Sequence, residues 1–277
     1  MLFETEEVRA YPQAEPNDKI LLVDADTIAF GACSVFEYEF YNIDKGNNEF
    51  GINIEDTINY AAEHVEKLLA MTGCKSAELY FTSGMHFRYT VNPTYKSNRD
   101  GLHRPPGLYE VKAGLLEQYE GKICTEWEAD DEVVFLKKQN PDKYILCAVD
   151  KDVLNATAGK HFNYYSSKKF GIEPKWVEIA EDEAKTYNFL QAIMGDANDG
   201  VPGVPGIGKV GATKFVNNSM TELEMWQGVV KAYESKGLTI VDALITYQLV
   251  SMHQLVPDEN GEPILKLFNP KELEDGD

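Results

Sequence analysis

"KILLVDAD" (Lys19–Asp26) decides the fold. Four branched apolar residues in a row describe a buried strand, and the strand ends in carboxylates. Similar runs recur along the chain. "AELYFTSG" (77–84), "KICTEW" (122–127) and "KYILCAVDKD" (143–152) read as further strands, and "KHFNYYS" (160–166) as a fifth. Helical patterns lie between them. Residues 53–73 carry apolar positions at a period of 3.6 and end on Gly73. Residues 106–121 resume a helix, and 128–141 form another that Pro141 stops. More helices are expected from about Glu181 to Met194, after Gly211, and from about Thr239 to Leu255. "EYEFYNIDKGNNEFGI" (37–52) reads as a hairpin turning at Gly46 and Asn47. Strands alternating with helices predict an α/β fold with a largely parallel central sheet flanked by helices. No internal repeat is visible, and "NPKELEDGD" at the end reads as a solvated tail.

Composition narrows the function. With 277 residues, 43% of them hydrophobic, the chain suffices for one large domain or for one domain with a small appendage. No apolar run approaches the roughly 20 residues of a membrane helix. The acidic, polar N-terminus lacks a signal-peptide core, so a cytosolic protein is expected. Cys33, Cys74, Cys124 and Cys147 are far apart, which argues against zinc and against a disulfide framework. The five histidines are dispersed as well, so any metal here falls to carboxylates.

Formal net charge is −20, which taken alone speaks against nucleic acid. The charges are segregated, however. Between His86 and Lys112 stand Arg88, Lys96, Arg99, Arg104 and Lys112, against only Asp100 and Glu110. Lys209 and Lys214 lie in a stretch from Gly203 to Thr221 that has no acid. Such a chain can bind a polyanion locally and hold cations nearby.

The acids collect where a parallel sheet binds its ligands, beyond the carboxyl ends of the strands. Asp24 ends the first strand, and Asp150 and Asp152 end the fourth. Glu128, Asp130 and Asp131 open the helix after the third, and Asp196 and Asp199 repeat the i, i+3 spacing of Glu128 and Asp131. Singly, each has a plain explanation as a cap, a turn residue or a partner of the helix dipole. Together they would repel one another by several kcal/mol in a partly dry cleft, and hard cations relieve that. Oxygen-only ligands select Mg²⁺ or Mn²⁺, which suits phosphoryl chemistry. Nearby, "GDANDGVPGVPGIGKVGATKF" (195–215) sets Gly203, Gly206 and Gly208 around a turn before a helix. Backbone N–H groups can approach a phosphate there, with Lys209 and Lys214 adding charge. There is no G-x-x-x-x-G-K-[ST], so this is not an NTPase P-loop.

In "ILLVDAD", "NPTYKSNR", "EADD", "VDKD" and "GDANDGVPGVPGIGK", in that order from Ile20 to about Phe215, the chain resembles the flap endonuclease superfamily of 5′-nucleases, and most of all the phage 5′→3′ exonucleases. The resemblance implies a sheet sandwiched by helices, a helical arch at about 85–120 and a helix-three-turn-helix. The implied organisation is an extension over 1–19, a nuclease domain over 20–193, a DNA-binding region over 194–258 and a tail over 259–277. Two Mg²⁺ sites are implied, with Mn²⁺ as a substitute: Asp24, Glu128, Asp130 and Asp131 would serve the first, and Asp150, Asp152, Asp196 and Asp199 the second. Tyr95, Lys96 and Arg99 would contact the scissile phosphate. Gly203, Gly206, Gly208, Lys209, Thr213 and Lys214 would grip one duplex strand, with Arg88 and Arg104 from the basic segment, and a K⁺ ion is implied at the helix-three-turn-helix.

One departure stands out. The family's aspartate at the end of the strand before the arch is replaced here, on this reading, by Ser83, with Asp26 as a compensating neighbour. The expected function is a Mg²⁺-dependent 5′→3′ exonuclease and structure-specific 5′-nuclease that leaves 5′-phosphate products. Its substrates would be duplex or branched DNA with a 5′ end, with the RNA of RNA–DNA hybrids as a further substrate. No membrane is involved, and the chain is expected to act as a monomer, in the host cytoplasm if phage-encoded. Two rivals are a branched-DNA-binding protein weakened as a catalyst and a PIN-type ribonuclease.

Overall fold

A computed structural model describes residues 13–273. Most of the expected N-terminal extension, up to residue 12, and the last four residues lie outside the described residues.

The chain begins with β1 (Ile20–Asp24), α1 (Asp26–Phe36), the hairpin β2 (Tyr38–Asn42) and β3 (Asn47–Gly51), α2 (Ile54–Thr72) and β4 (Ser76–Thr82). There follow α3 (Phe87–Val91), α4 (Leu108–Leu116), β5 (Glu120–Cys124), α5 (Ala129–Gln139), β6 (Tyr144–Ala148) and α6 (Lys151–Asn155). β7 (Gly159–Asn163), β8 (Lys175–Ile179) and α7 (Glu181–Met194) complete the α/β part. The six-stranded sheet has the order β5-β4-β1-β6-β7-β8. Its strands are parallel except β8, which runs antiparallel to β7 at the edge.

Side chains alternate across a strand, and the two faces of the sheet divide accordingly. Leu21, Val23, Leu79 and Phe81 face α1, α2 and α4, where they pack with Ala32, Val65 and Leu115. Leu22, Tyr80 and Leu146 face the other way, onto Val133 and Val134 of α5 and Leu154 of α6. Local signals fix the helix ends. Asn53 caps α2 by accepting from the Asp56 N–H, and Gly73, at φ 70°, closes it in the left-handed conformation.

A third core joins α7 to the helices that follow. The two-residue strands β9 (Gly195–Asp196) and β10 (Val201–Pro202) pair, and α8 (Lys209–Ala212), α9 (Glu222–Glu234) and α10 (Ile240–Val250) come next. Ile193, Val204, Val216, Trp226, Val229 and Tyr247 fill the space between them. Thr221 and Thr239 start α9 and α10 with capping boxes.

Several expectations change. The expected helical arch takes the form of α3, one 3₁₀ turn at Ser97–Arg99 and irregular chain as far as Gly107; α4 belongs to the sheet, through buried Val111 and Leu115. The helix expected after Gly211 starts earlier and is one turn long. α1 follows β1 after a single residue, so its first turn read as strand end. The first part of the tail implied over 259–277, ahead of "NPKELEDGD", is packed against the fold. β12 (Pro263–Leu265) pairs with β11 (Leu255–Pro257), and the ring of Phe268 lies 4.1 Å from Tyr247 and 5.2 Å from Trp226, centroid to centroid. The apolar "PILKLF" outweighs the acids around it. Among the described residues no helix is long and apolar enough to cross a membrane.

Phe268→Ala should therefore lower the unfolding free energy by about 2 kcal/mol, below the full cost of a buried aromatic because Phe268 is half-buried. Urea denaturation measures this, and an unchanged midpoint would show that the C-terminal segment is not anchored by that ring.

Candidate active site

Parallel pairing carries the acids to one edge. β1 ends at Asp24, and β6 runs through Val149 into Asp150, whose carboxylate caps α6 by accepting from the Asp152 N–H at 2.7 Å. α5 starts directly behind Glu128, its N-cap. The turn between β9 and β10 brings in Asp196 and Asp199. Glu128, Asp130, Asp150, Asp152, Asp196 and Asp199 line one narrow cleft. Asp24 lines an adjoining pocket that shares Glu128, Asp130, Asp150 and Asp199 with this cleft.

The acids feel one another. Burial, then the charge of Asp26, push the Asp24 carboxyl up to about 7, although a hydrogen bond with Asp130 works the other way. Asp130 is held well above the carboxylate range by burial and by Asp24. Asp150 and Asp196 are also raised, first by burial and then by neighbouring aspartates. Glu128 is the exception. Its burial is outweighed by Arg88, His86 and Lys96, which hold it well below the usual range. The donor set is all oxygen, and Oδ1 of Asp24 is buried without a hydrogen-bond partner. Among the described residues no three such side chains are drawn together as a closed cage. Carboxylates that repel one another stand apart, so an open arrangement is compatible with hard cations bridging them.

Basic side chains reach in among the acids. Lys96 Nζ lies 2.5 Å from Glu128 Oε1 and 3.4 Å from Asp199 Oδ2, and Arg99 donates to Asp199 Oδ1. The Tyr95 hydroxyl sits between Asp199 Oδ2, at 2.7 Å, and Glu128 Oε2, at 3.0 Å. Tyr95 is buried, so its hydroxyl braces the carboxylates where a phosphate contact was expected. Arg88 is likewise buried. It forms a two-pronged pair with Asp131 at 2.5 and 2.8 Å and donates from Nε to the Leu249 carbonyl at 2.7 Å. It ties α3, α5 and α10 together from the interior. The same pair removes Asp131 from the expected metal ligands, since its Oδ2 also accepts from the Glu128 N–H.

The strand-end position is corrected too. Asp24 pairs in register with Tyr80, so Thr82 shares the sheet face of Asp24 and lines the acid cleft; Ser83 is not among the lining residues. The Thr82 hydroxyl accepts from the Ala129 N–H at 3.0 Å, and its own N–H donates to Asp26 Oδ2 at 2.9 Å. Asp26 pairs with Lys112 at 2.6 Å and borders the same cleft.

The glycines divide. A Cβ on Gly203 would lie 2.2 Å from the Met194 carbonyl carbon, so this glycine permits packing within the fold. Gly206 and Gly208 have open space beside them, and Lys209, Thr213 and Lys214 are exposed. α8 is a single turn, so it offers backbone N–H groups and lysines more than a helix dipole. Arg104 is exposed and borders a cavity of about 490 Å³ next to Lys96 and Arg99. Two residues escaped notice in the sequence. Tyr187 and Gln191 both donate to the Asp152 carboxylate, the latter at 2.9 Å. Their i, i+4 spacing on α7 was the available signal.

No family model matches the chain. Over 235 residues it is 26% identical to the exodeoxyribonuclease of Enterobacteria phage T3, covering 80% of this chain and 73% of that one. It is 26% identical over 232 residues to the exonuclease of Escherichia phage T7, covering 79% and 73%. The chain is thus similar in sequence to these two phage exonucleases. The fold agrees with that of a bacteriophage T5 flap endonuclease in complex with DNA and metal ions, at a TM-score of 0.61 and 16% identity over 84% of this chain and 89% of the other. A bacteriophage T5 protein crystallised with metal ions gives 0.57 at 17%, over 83% and 89%. The expected likeness to phage 5′-nucleases and the α/β fold class are borne out.

The electrostatics set a pH dependence. In the fold Asp24 holds its proton up to about 7, against 3.8 ordinarily. The folded state therefore binds more protons in that window, and stability falls as pH rises from about 4 to 7. Asp130, Asp150 and Asp196 act in the same direction. In EDTA the melting temperature should be lower at pH 7.5 than at pH 5, Asp24→Asn should flatten the fall, and Mg²⁺ should restore stability at pH 7.5 by mass action. A metal-free protein that melts higher at pH 7.5 would contradict the burial of repelling acids.

Proposed function

We propose that this chain is a Mg²⁺-dependent 5′→3′ nuclease that hydrolyses phosphodiester bonds from the 5′ ends of duplex or branched DNA and leaves 5′-phosphates. The observation that carries this reading is the cleft where Glu128, Asp130, Asp150, Asp152, Asp196 and Asp199 converge around Lys96 and Arg99, in a relative of phage exonucleases. Asp24, Glu128 and Asp130 would hold one ion, and Asp150, Asp152, Asp196 and Asp199 a second, with Mn²⁺ as a substitute. Bound there, such ions supply Lewis acidity and a nucleophile at neutral pH.

The chain's own residues do the rest. Lys96 and Arg99 stand at the cleft with their side chains 18% and 43% exposed, so both can turn from carboxylate to phosphate oxygens. There they would offset charge developing on the phosphate. Tyr95 fixes Glu128 against Asp199, and Tyr187 and Gln191 orient Asp152. The N–H groups around Gly206 and Gly208, with Lys209, Thr213 and Lys214, would hold the phosphates of one duplex strand without reading bases. A K⁺ ion in that turn, activity on the RNA of hybrids, and action as a monomer in the cytoplasm, the host's if the chain is phage-encoded, belong to the same proposal.

The neutral Thr82 at the strand end favours one second reading, a DNA-binding protein that cuts poorly. A 5′-labelled duplex incubated with Mg²⁺, Mn²⁺ or EDTA separates the two. Cleavage that requires the metal supports the nuclease, and binding without cleavage supports the rival. An RNA–DNA hybrid and a single-stranded RNA run alongside test the PIN-type alternative, which would prefer RNA.

Lys209→Ala should weaken duplex binding whatever the base sequence and reduce the salt dependence by about one counterion. Lys96→Ala should instead lower the cleavage rate more than the affinity. Interchanged phenotypes would mean that grip and chemistry are misassigned.

Thr82→Asp should lower the Mg²⁺ concentration for half-maximal cleavage by about tenfold, the equivalent of about 1.4 kcal/mol. It places a carboxylate on the Asp24 face of the sheet edge, whereas Ser83→Asp should change little. A Mg²⁺ titration at fixed ionic strength that ranks the two variants the other way would overturn the register argument.

A further inference from the structure

We infer that Asn98 is a positioning residue that sets the spacing between the turn carrying Lys96 and Arg99 and the loop carrying Asp196 and Asp199. The inference rests on the nuclease reading above. Asn98 Nδ2 donates to the Asn198 carbonyl at 3.0 Å and to the Ala197 carbonyl at 3.3 Å. On either side of it, the Lys96 N–H donates to the Asp199 carbonyl at 3.0 Å and Arg99 Nε donates to the Asn198 carbonyl at 3.2 Å. Three consecutive carbonyls, from 197 to 199, are thus covered by one turn from a segment about a hundred residues away.

The two segments are fitted to each other. Lys96 is the one non-glycine residue among the described residues with a positive φ, at 57°. Such a conformation persists where neighbouring contacts over-determine it. Gly200, at φ 68°, is where a Cβ would come within 3.2 Å of Asn98 Oδ1, so the loop leaves room for this amide. Of the side chains that bridge the gap, Lys96 and Arg99 carry charge that can be drawn to a phosphate. Asn98 is neutral and bonds only to carbonyls, so it can hold the spacing while its neighbours change partners. Misplacement of catalytic groups by about 1 Å can cost about a hundredfold in rate. Asn98 is exposed, so its amide serves alignment more than stability.

The test compares Asn98→Ala and Asn98→Asp with wild type and with Lys96→Ala. Asn98→Asp keeps the shape but turns a carboxylate towards carbonyls. Both variants should lower kcat on a duplex by about tenfold or more. KM, duplex affinity in EDTA and melting temperature should stay near wild type. In a Lys96→Ala background, Asn98→Ala should add little further loss, because the group it positions is gone. A kcat within twofold of wild type would overturn the inference. So would full additivity with Lys96→Ala, or a loss of EDTA affinity, which would make Asn98 a DNA contact. An inactive wild-type protein would instead overturn the nuclease reading, and this inference with it.

Discussion

Mutual repulsion among carboxylates at the carboxyl edge of the sheet governs this structure. A parallel sheet delivers the ends of β1 and β6 and the start of α5 to one place, and here each brings an acid. The fold relieves the repulsion in two ways. Around Glu128 it supplies the cations Arg88 at 3.2 Å and Lys96 at 2.5 Å, with the His86 ring at 3.4 Å. That carboxylate keeps its charge in a buried position. Around Asp24 and Asp130 no cation is brought as close, and the pair retains protons instead. A cleft with one side ionised and the other reluctant to ionise is poised to exchange protons for divalent cations.

The Arg88–Asp131 pair is what allows the ionised side to exist. Asp131 takes the guanidinium and, at the same time, closes the capping box of α5. Glu128 is fixed by its backbone at the helix start, and its side chain is left for the cleft. Arg88 also bonds to the Leu249 carbonyl at the end of α10, so the helical unit and the sheet are registered through the same buried charge. An isolated buried charge would be costly, but each prong here has a partner. A residue that looked like part of a DNA-binding patch is therefore a cross-link.

Much of this was legible in the sequence, and the failures have physical causes. The strands from β1 to β7, α2, α5 and the acids at the strand ends could be read because apolar periodicity and strand direction are local properties. Asp131 and Arg88 were misjudged because ion pairing across 43 residues leaves no local trace. Reading Ser83 at the strand end misses by one residue, which turns a side chain to the other sheet face, because the register is set by pairing with β1. The form of the segment between α3 and α4 was not legible because no apolar period runs through it. Tyr187 and Gln191 were concealed on a helix whose other face is core.

Net charge remains to be reconciled with a polyanionic ligand. At physiological ionic strength charges more than about 8 Å apart are largely screened, so the distribution of charge matters more than its sum. The acids are gathered in a cleft, whereas Lys209 and Lys214 stand exposed in a stretch free of carboxylates. Lys96 and Arg99 stand among the acids. Each is paired with an acid, so neither adds to a general attraction for phosphate while those pairs hold. Attraction at the cleft thus depends on how far its carboxylates are neutralised, while attraction at Lys209 and Lys214 does not. Asn98 ties the turn that carries Lys96 and Arg99 to the loop of Asp196 and Asp199, so the cations at the cleft are held against its acids by a segment remote in sequence from Lys209 and Lys214.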